Sequence, residues 1–143
     1  MGTPAETPWR RRARVVLACL YLLAGVLHLM VPRPFLHITP DWVPTPALVI
    51  AGTGLCEIAG ALALLSVRLR KLAGVMLALY ALCVFPANLQ HAVQDLSTGT
   101  GLGWAYHAPR LFVQPLLCWW ALWAGGSAAR TRASPPDGSS CRA

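Results

Sequence analysis

Four stretches of this chain hold almost nothing that water would solvate. Val15 to Val31 is broken only by His28, and Ala47 to Val67 carries Thr53, Glu57 and Ser66. Leu72 to Val93 contains Pro86, Asn88, Gln90 and His91, and Arg110 to Gly125 follows Pro109 and ends at Gly125-Gly126. A bilayer core takes about 20 apolar residues as a helix, in a range of roughly 17 to 25. The composition agrees with four such spans: 56% of the 143 residues are apolar and 12% are charged, against about 25% charged in an average soluble domain. The fold class this predicts is all-α, a transmembrane four-helix bundle. It divides the chain into a basic arm over residues 1–13, a membrane domain over 14–126, and an Arg-, Ser-, Pro- and Gly-rich tail over 127–143 of disordered composition.

The connections are short. Pro32, Pro34, Pro40, Pro44 and Pro46 predict a stiff, non-helical first loop. Arg68 to Lys71 forms the second, and Gln94 to Ala108 a flexible third containing Gly99, Gly101 and Gly103. Pro109 suits the first position of the last helix.

The net charge of +7 is a topology signal and asks for no nucleic acid. Arg10, Arg11, Arg12, Arg14, Arg68, Arg70, Lys71, Arg130, Arg132 and Arg142 fall on one side of the spans, ten of the twelve basic residues. Arg33 and Arg110 fall on the other. Positive residues stay cytoplasmic, so both termini are expected there, and the arm can also attract anionic lipid. A cleaved signal peptide does not fit the first span, because Val31-Pro-Arg-Pro offers no small-residue cleavage site. The cysteines at 19, 56, 83, 118 and 141 stand singly. That pattern is neither a disulfide framework nor a zinc site, and it reads as small packing residues. No metal-ligating set is expected, and no glycine-rich phosphate loop joins a strand to a helix.

The polar residues share a depth. In that topology His28, Asn88, His91, Arg110 and Gln114 lie within about two helical turns of the outer boundary, at 1.5 Å per residue. Glu57 lies near mid-membrane. They also share faces: Tyr21, Gly25 and His28; Tyr80, Val84, Asn88 and His91; Arg110, Gln114 and Cys118; Thr53 and Glu57 recur at helical spacing. Gly52, Cys56 and Gly60 form a small-residue row suited to close helix approach. Turned inward, these stripes would meet in a single outward-opening crevice. A charge at mid-bilayer costs about 2.5–3.5 kcal/mol, whereas interhelical hydrogen bonds average about 0.6 kcal/mol. Glu57 and Arg110 are therefore the candidate catalytic pair, as a proton relay or a buried ion pair. His28, Asn88, His91 and Gln114 are the candidate binding residues, and Pro86 bends the third span beside them, freeing the Leu82 carbonyl.

Several motifs in order resemble the DoxX family of small four-helix membrane proteins. They are Ala24-Gly-Val-Leu-His28, Pro40-Asp-Trp-Val-Pro44, Gly54-Leu-Cys-Glu57-Ile-Ala-Gly60, Arg68-Leu-Arg-Lys-Leu, Phe85-Pro-Ala-Asn88, and Arg110 with Gln114. The resemblance runs from about Arg14 to Gly125. It implies a multi-pass protein of the bacterial inner membrane, in the wider quinone-associated group. Relatives that use paired cysteines need a Cys-x-x-Cys, which this chain lacks. On this reading the protein is a quinone-linked redox subunit, with Tyr21, Tyr80 and Trp104 as ring-packing residues and a membrane redox partner supplying electrons. Haem held by His28 and His91 is the lesser cofactor reading. The alternative is a non-catalytic assembly factor for another membrane complex, and a homodimer is compatible with either.

Overall fold

The computed structural model describes residues 7–99, 101 and 103–126. The tail over 127–143, with Arg130, Arg132, Cys141 and Arg142, and the first six residues of the arm lie outside the described residues. Five helices follow in order: α1 Pro8–Met30, α2 Pro32–Ile38, α3 Pro46–Leu65, α4 Arg70–Thr98 and α5 Trp104–Gly125. Among the described residues three helices, α1, α3 and α4, are long and apolar enough to cross a membrane. α5 is of similar length, but His107, Pro109, Arg110, Gln114 and Pro115 fall within it. α1 packs chiefly on α3 and α4 on α5, while α3 meets α4 and α1 meets α5.

The side chains are sorted in the sense opposite to a water-soluble protein. Buried seam positions are dominated by small residues, with Ala18, Ala61, Ala73, Ala78, Ala81, Ala92, Ala121 and Ala124 all nearly inaccessible. Large apolar groups such as Leu23, Leu55, Leu62, Leu72, Leu82 and Phe112 point outward. Small residues let helices approach closely where no hydrophobic force joins them, and an outward face of large apolar groups is the kind that hydrocarbon solvates.

One end of the helix assembly is apolar inside. Leu17, Ala18, Tyr21, Ala61, Leu64, Ala73, Leu77, Ala78, Ala121 and Ala124 form its core. At that end Arg10 donates to the Trp123 carbonyl through Nε at 2.9 Å, and Arg14, buried, donates through Nε to the Ala124 carbonyl at 3.2 Å. The last carbonyls of a helix lack intrahelical donors and carry partial negative charge, so a guanidinium there satisfies both needs. Arg10 also lies 5.6 Å from the Trp123 ring centroid.

Four sequence expectations change. The first connection is partly helical: α2 begins with Pro32 and Pro34 in its first turn, where a missing N–H breaks no helical bond. The third connection is short, because α4 runs on to Thr98 and α5 starts at Trp104, leaving Pro109 inside α5 and not at its start. The row Gly52, Cys56, Gly60 is not the main close contact of α3. The inward row is Ile50, Gly54, Glu57, Ala61 and Leu64; Gly52 has open space beside it, and only Gly60 is crowded, by Leu77. Cys19, Cys56 and Cys83 are exposed and Cys118 half-buried, so three of them lie on the outward face and take no part in core packing.

Candidate functional site

The inward polar residues form two hydrogen-bonded centres. The first sits where α1, α3 and α4 meet. Gly25 and Gly54 bring α1 and α3 together: a Cβ on Gly25 would stand 2.6 Å from the Gly54 carbonyl oxygen, and one on Gly54 2.9 Å from that of Gly25. The approach carries Glu57 under His28. Glu57 is 5% exposed. Its Oε1 accepts from the Tyr80 hydroxyl at 2.9 Å, and its Oε2 lies 3.0 Å from His28 Nδ1. That Nδ1 also donates to the Ala24 carbonyl at 2.9 Å. The N–H is aimed at the backbone, which leaves Oε2 in electrostatic contact with the imidazole but without an aligned hydrogen bond. The Tyr21 hydroxyl is likewise buried without a partner, with its ring edge-on to Tyr80 at 6.5 Å. Phe35 of α2 stacks on His28, with centroids 4.0 Å apart, and covers this centre.

The second centre lies between the C-terminal half of α4 and the N-terminal half of α5. Arginine can only donate, and that fixes the direction of every bond in the chain that follows. Arg110 Nη2 donates to Asn88 Oδ1 at 2.6 Å, Asn88 Nδ2 donates to Gln114 Oε1 at 2.8 Å, and Gln114 Nε2 donates to the Ala81 carbonyl at 2.5 Å. In the other direction Arg110 Nη1 donates to His91 Nδ1 at 2.8 Å. A neutral His91 then carries its proton on Nε2, which faces Asp95 Oδ2 at 3.4 Å. His107 Nε2 donates to the same Oδ2 at 3.0 Å. Arg110 also lies 5.7 Å from the Tyr106 ring centroid. One turn beyond Gln114, Cys118 Sγ is 3.5 Å from the Ala78 carbonyl, so the row Arg110, Gln114, Cys118 feeds donors from α5 into α4.

Beside this centre a groove of about 620 Å³ opens on the outward face of α4 and α5. Leu82, Phe85, Trp104, Ala108, Leu111, Phe112, Pro115 and Cys118 line it, and Gln114 is its one amide. Pro86 supplies no N–H to the Leu82 carbonyl, so the lining segment also contains a backbone acceptor that lacks its i+4 donor. Such a site, an apolar cleft with a few placed polar groups, suits a lipophilic ligand with a hydrogen-bonding head.

The structure thus divides what the sequence was expected to gather. Glu57 and Arg110 do not pair: Glu57 on α3 meets His28 and Tyr80, while Arg110 on α5 meets Asn88 and His91. The physical reason is neighbourhood, since α3 packs mainly on α1 and α4, and α5 mainly on α4. His28 and His91 belong to different centres, and both His91 nitrogens face partners. Of the four binding candidates, Gln114 lines the groove, Asn88 and His91 stand behind it, and His28 belongs to the other centre. Among the ring-packing candidates only Trp104 lines the groove; Tyr21 and Tyr80 surround Glu57. Asp95 was missed, and His107 was expected to be a loop histidine of lesser weight, because both fall in the stretch read as a loop. The available signal was the four-residue spacing of His91 and Asp95, continuing the α4 stripe by one turn.

Residues 17–125 match the model of a family described as a domain of unknown function, DUF8561. No curated protein and no solved structure matches the chain. The match spans well over half of the sequence, and the chain belongs to the DUF8561 family.

Proposed function

We propose that this DUF8561 chain is a multi-pass protein of the bacterial inner membrane that holds a quinone-class ligand in the α4–α5 groove, as the small subunit of a membrane redox system. In this reading all four long helices cross the bilayer as a bundle, with the Arg10–Arg14 end and the α3–α4 turn cytoplasmic. Support for the orientation comes from charge, because Arg10, Arg14, Arg68, Arg70 and Lys71 gather at one end and Arg33 and Arg110 at the other. The DoxX resemblance points in the same direction.

The observation that carries the ligand proposal is the position of Gln114. Its amide is the one amide in a groove otherwise lined by apolar groups, the Trp104 indole and the Cys118 thiol, and it is held by Asn88 and the Ala81 carbonyl. Its second Nε2 hydrogen is the candidate donor to a quinone carbonyl, and the Leu82 carbonyl is the candidate acceptor from the quinol hydroxyl. Reduction of a quinone takes up two electrons and two protons. The electrons would come from the partner redox protein and the two protons from water. The amide–guanidinium chain of Gln114, Asn88 and Arg110 orients the site without conducting protons, since neither amides nor an always-charged guanidinium releases one readily. Asn88 and Arg110 are therefore positioning residues.

The test is the quinone content of the full chain purified in detergent, measured beside Gln114→Leu, Ala108→Phe and Glu57→Gln. Ala108→Phe fills the groove and leaves the polar chain intact. Near-stoichiometric quinone in the wild type and Glu57→Gln, lost in the other two while their helical circular dichroism is unchanged, is the expected result. Equal trace amounts in all four, with no haem band in the spectrum, would overturn the reading and favour the assembly-factor alternative.

A further inference from the structure

Asp95 Oδ2 is approached by two imidazole nitrogens, His107 Nε2 at 3.0 Å and His91 Nε2 at 3.4 Å. Around a tetrahedral ion with bonds of about 2.0–2.2 Å, neighbouring ligand atoms stand about 3.3–3.5 Å apart. The three side chains can each offer a ligand atom within 4.8 Å of the others. We propose that His91, Asp95 and His107 form a binding site for a divalent first-row transition ion of the Zn²⁺ class, and that Arg110 is its latch.

The donor set fits. Two imidazoles and one carboxylate are borderline ligands of the kind that Zn²⁺ accepts, and three protein ligands leave a fourth position open. The frame is rigid, with two ligands one turn apart on α4 and the third in the first turn of α5. Gly101 lays its backbone against Asp95, where a Cβ would collide with the carboxylate. The side chain of His107 is fully buried and that of Asp95 is 21% exposed, so an ion would enter from the Asp95 side.

The imidazole protons decide when it can. His107 Nδ1 is buried without a partner. Its proton can therefore pass from Nε2 to Nδ1 without breaking a second bond, which releases the Nε2 lone pair to an ion. His91 is different, because Arg110 Nη1 occupies its Nδ1 at 2.8 Å. Coordination through Nε2 requires the His91 proton to sit on Nδ1, and two donors cannot face each other at that distance. The ion and the Arg110–His91 bond exclude each other. Arg110 can leave His91 while keeping its Nη2 bond to Asn88, so loading the ion would be felt along the chain to Gln114. The inference stands independently of the quinone reading.

Co²⁺ serves as the probe, titrated into the detergent-solubilised full chain and followed by its ligand-field absorption. The wild type should take one equivalent with a tetrahedral spectrum. Asp95→Asn and His107→Gln, close in shape to the originals, should weaken binding by about 100-fold or more, as removal of ligands and their partners does. Arg110→Gln should tighten it by about tenfold or more, since it removes a competing donor and a nearby like charge. His28→Gln should bind as the wild type does. Affinity unchanged in Asp95→Asn and His107→Gln, no gain in Arg110→Gln, or loss in His28→Gln would each overturn the proposal, with helical circular dichroism confirming that every variant is folded.

Discussion

Glu57 and Arg110 are both charged residues set in apolar helices, and the structure accommodates them by different means. Around Glu57 the backbone does the work: Gly25 and Gly54 let two helices nearly touch, and His28 and Tyr80 are pressed onto the carboxylate by that approach. Two buried oxygens, Tyr21 Oη and Glu57 Oε2, are left without an aligned partner. Around Arg110 side chains do the work, through a directed run of bonds from the Ala81 carbonyl to His107. Close backbone contact leaves two oxygens unmatched at the heart of its centre, whereas the side-chain network leaves only His107 Nδ1 unmatched, at its far end, and keeps room for a groove beside it. A ligand site is better built on the second plan.

The comparison can be broken in three ways. The largest effect should come from Gly25→Ala. Its Cβ would meet a main-chain oxygen that cannot move aside, and overpacking of this kind costs about 3 kcal/mol, read as a fall in unfolding free energy in detergent. If the loss is negligible, the first centre is not held by backbone contact. Glu57→Leu should cost about 2 kcal/mol, because it strands the Tyr80 hydroxyl and removes the carboxylate beside the His28 imidazole; Glu57→Gln should recover part of that by keeping an acceptor for Tyr80. The smallest effect should be Asn88→Ala. It removes two interhelical bonds at about 0.6 kcal/mol each, or about 1 kcal/mol, yet it should alter the Arg110 centre most, because Asn88 joins Arg110 to Gln114. A loss larger than that of Gly25→Ala would reverse the assignment of backbone and side-chain roles.

Much of this was legible in the sequence, and what was not has particular causes. The apolar runs marked α1, α3 and α4, because twenty residues without a charge pair have few other uses. The row Arg110, Gln114, Cys118 was readable from its spacing and faces α4 as that spacing requires. The partner of Glu57 was not readable, since periodicity gives the face of a helix but not its neighbour. α2 was hidden by its prolines, which are harmless in a first turn. Asp95 and His107 were hidden by polarity: Gln94 to Ala108 looks like a loop, and only the structure continues α4 to Thr98 and begins α5 at Trp104.

The bonds from Arg10 to Trp123 and from Arg14 to Ala124 join residues 113 and 110 positions apart. A ribosome delivers the N-terminal portion first, so Arg14 emerges long before the carbonyl that receives it. Until the final turn of α5 is made, the first helix carries an arginine with its eventual acceptor missing. The seam between first and last helix can therefore close only after residue 124 has been made, and a chain stopped short of Trp123 would lack both acceptors.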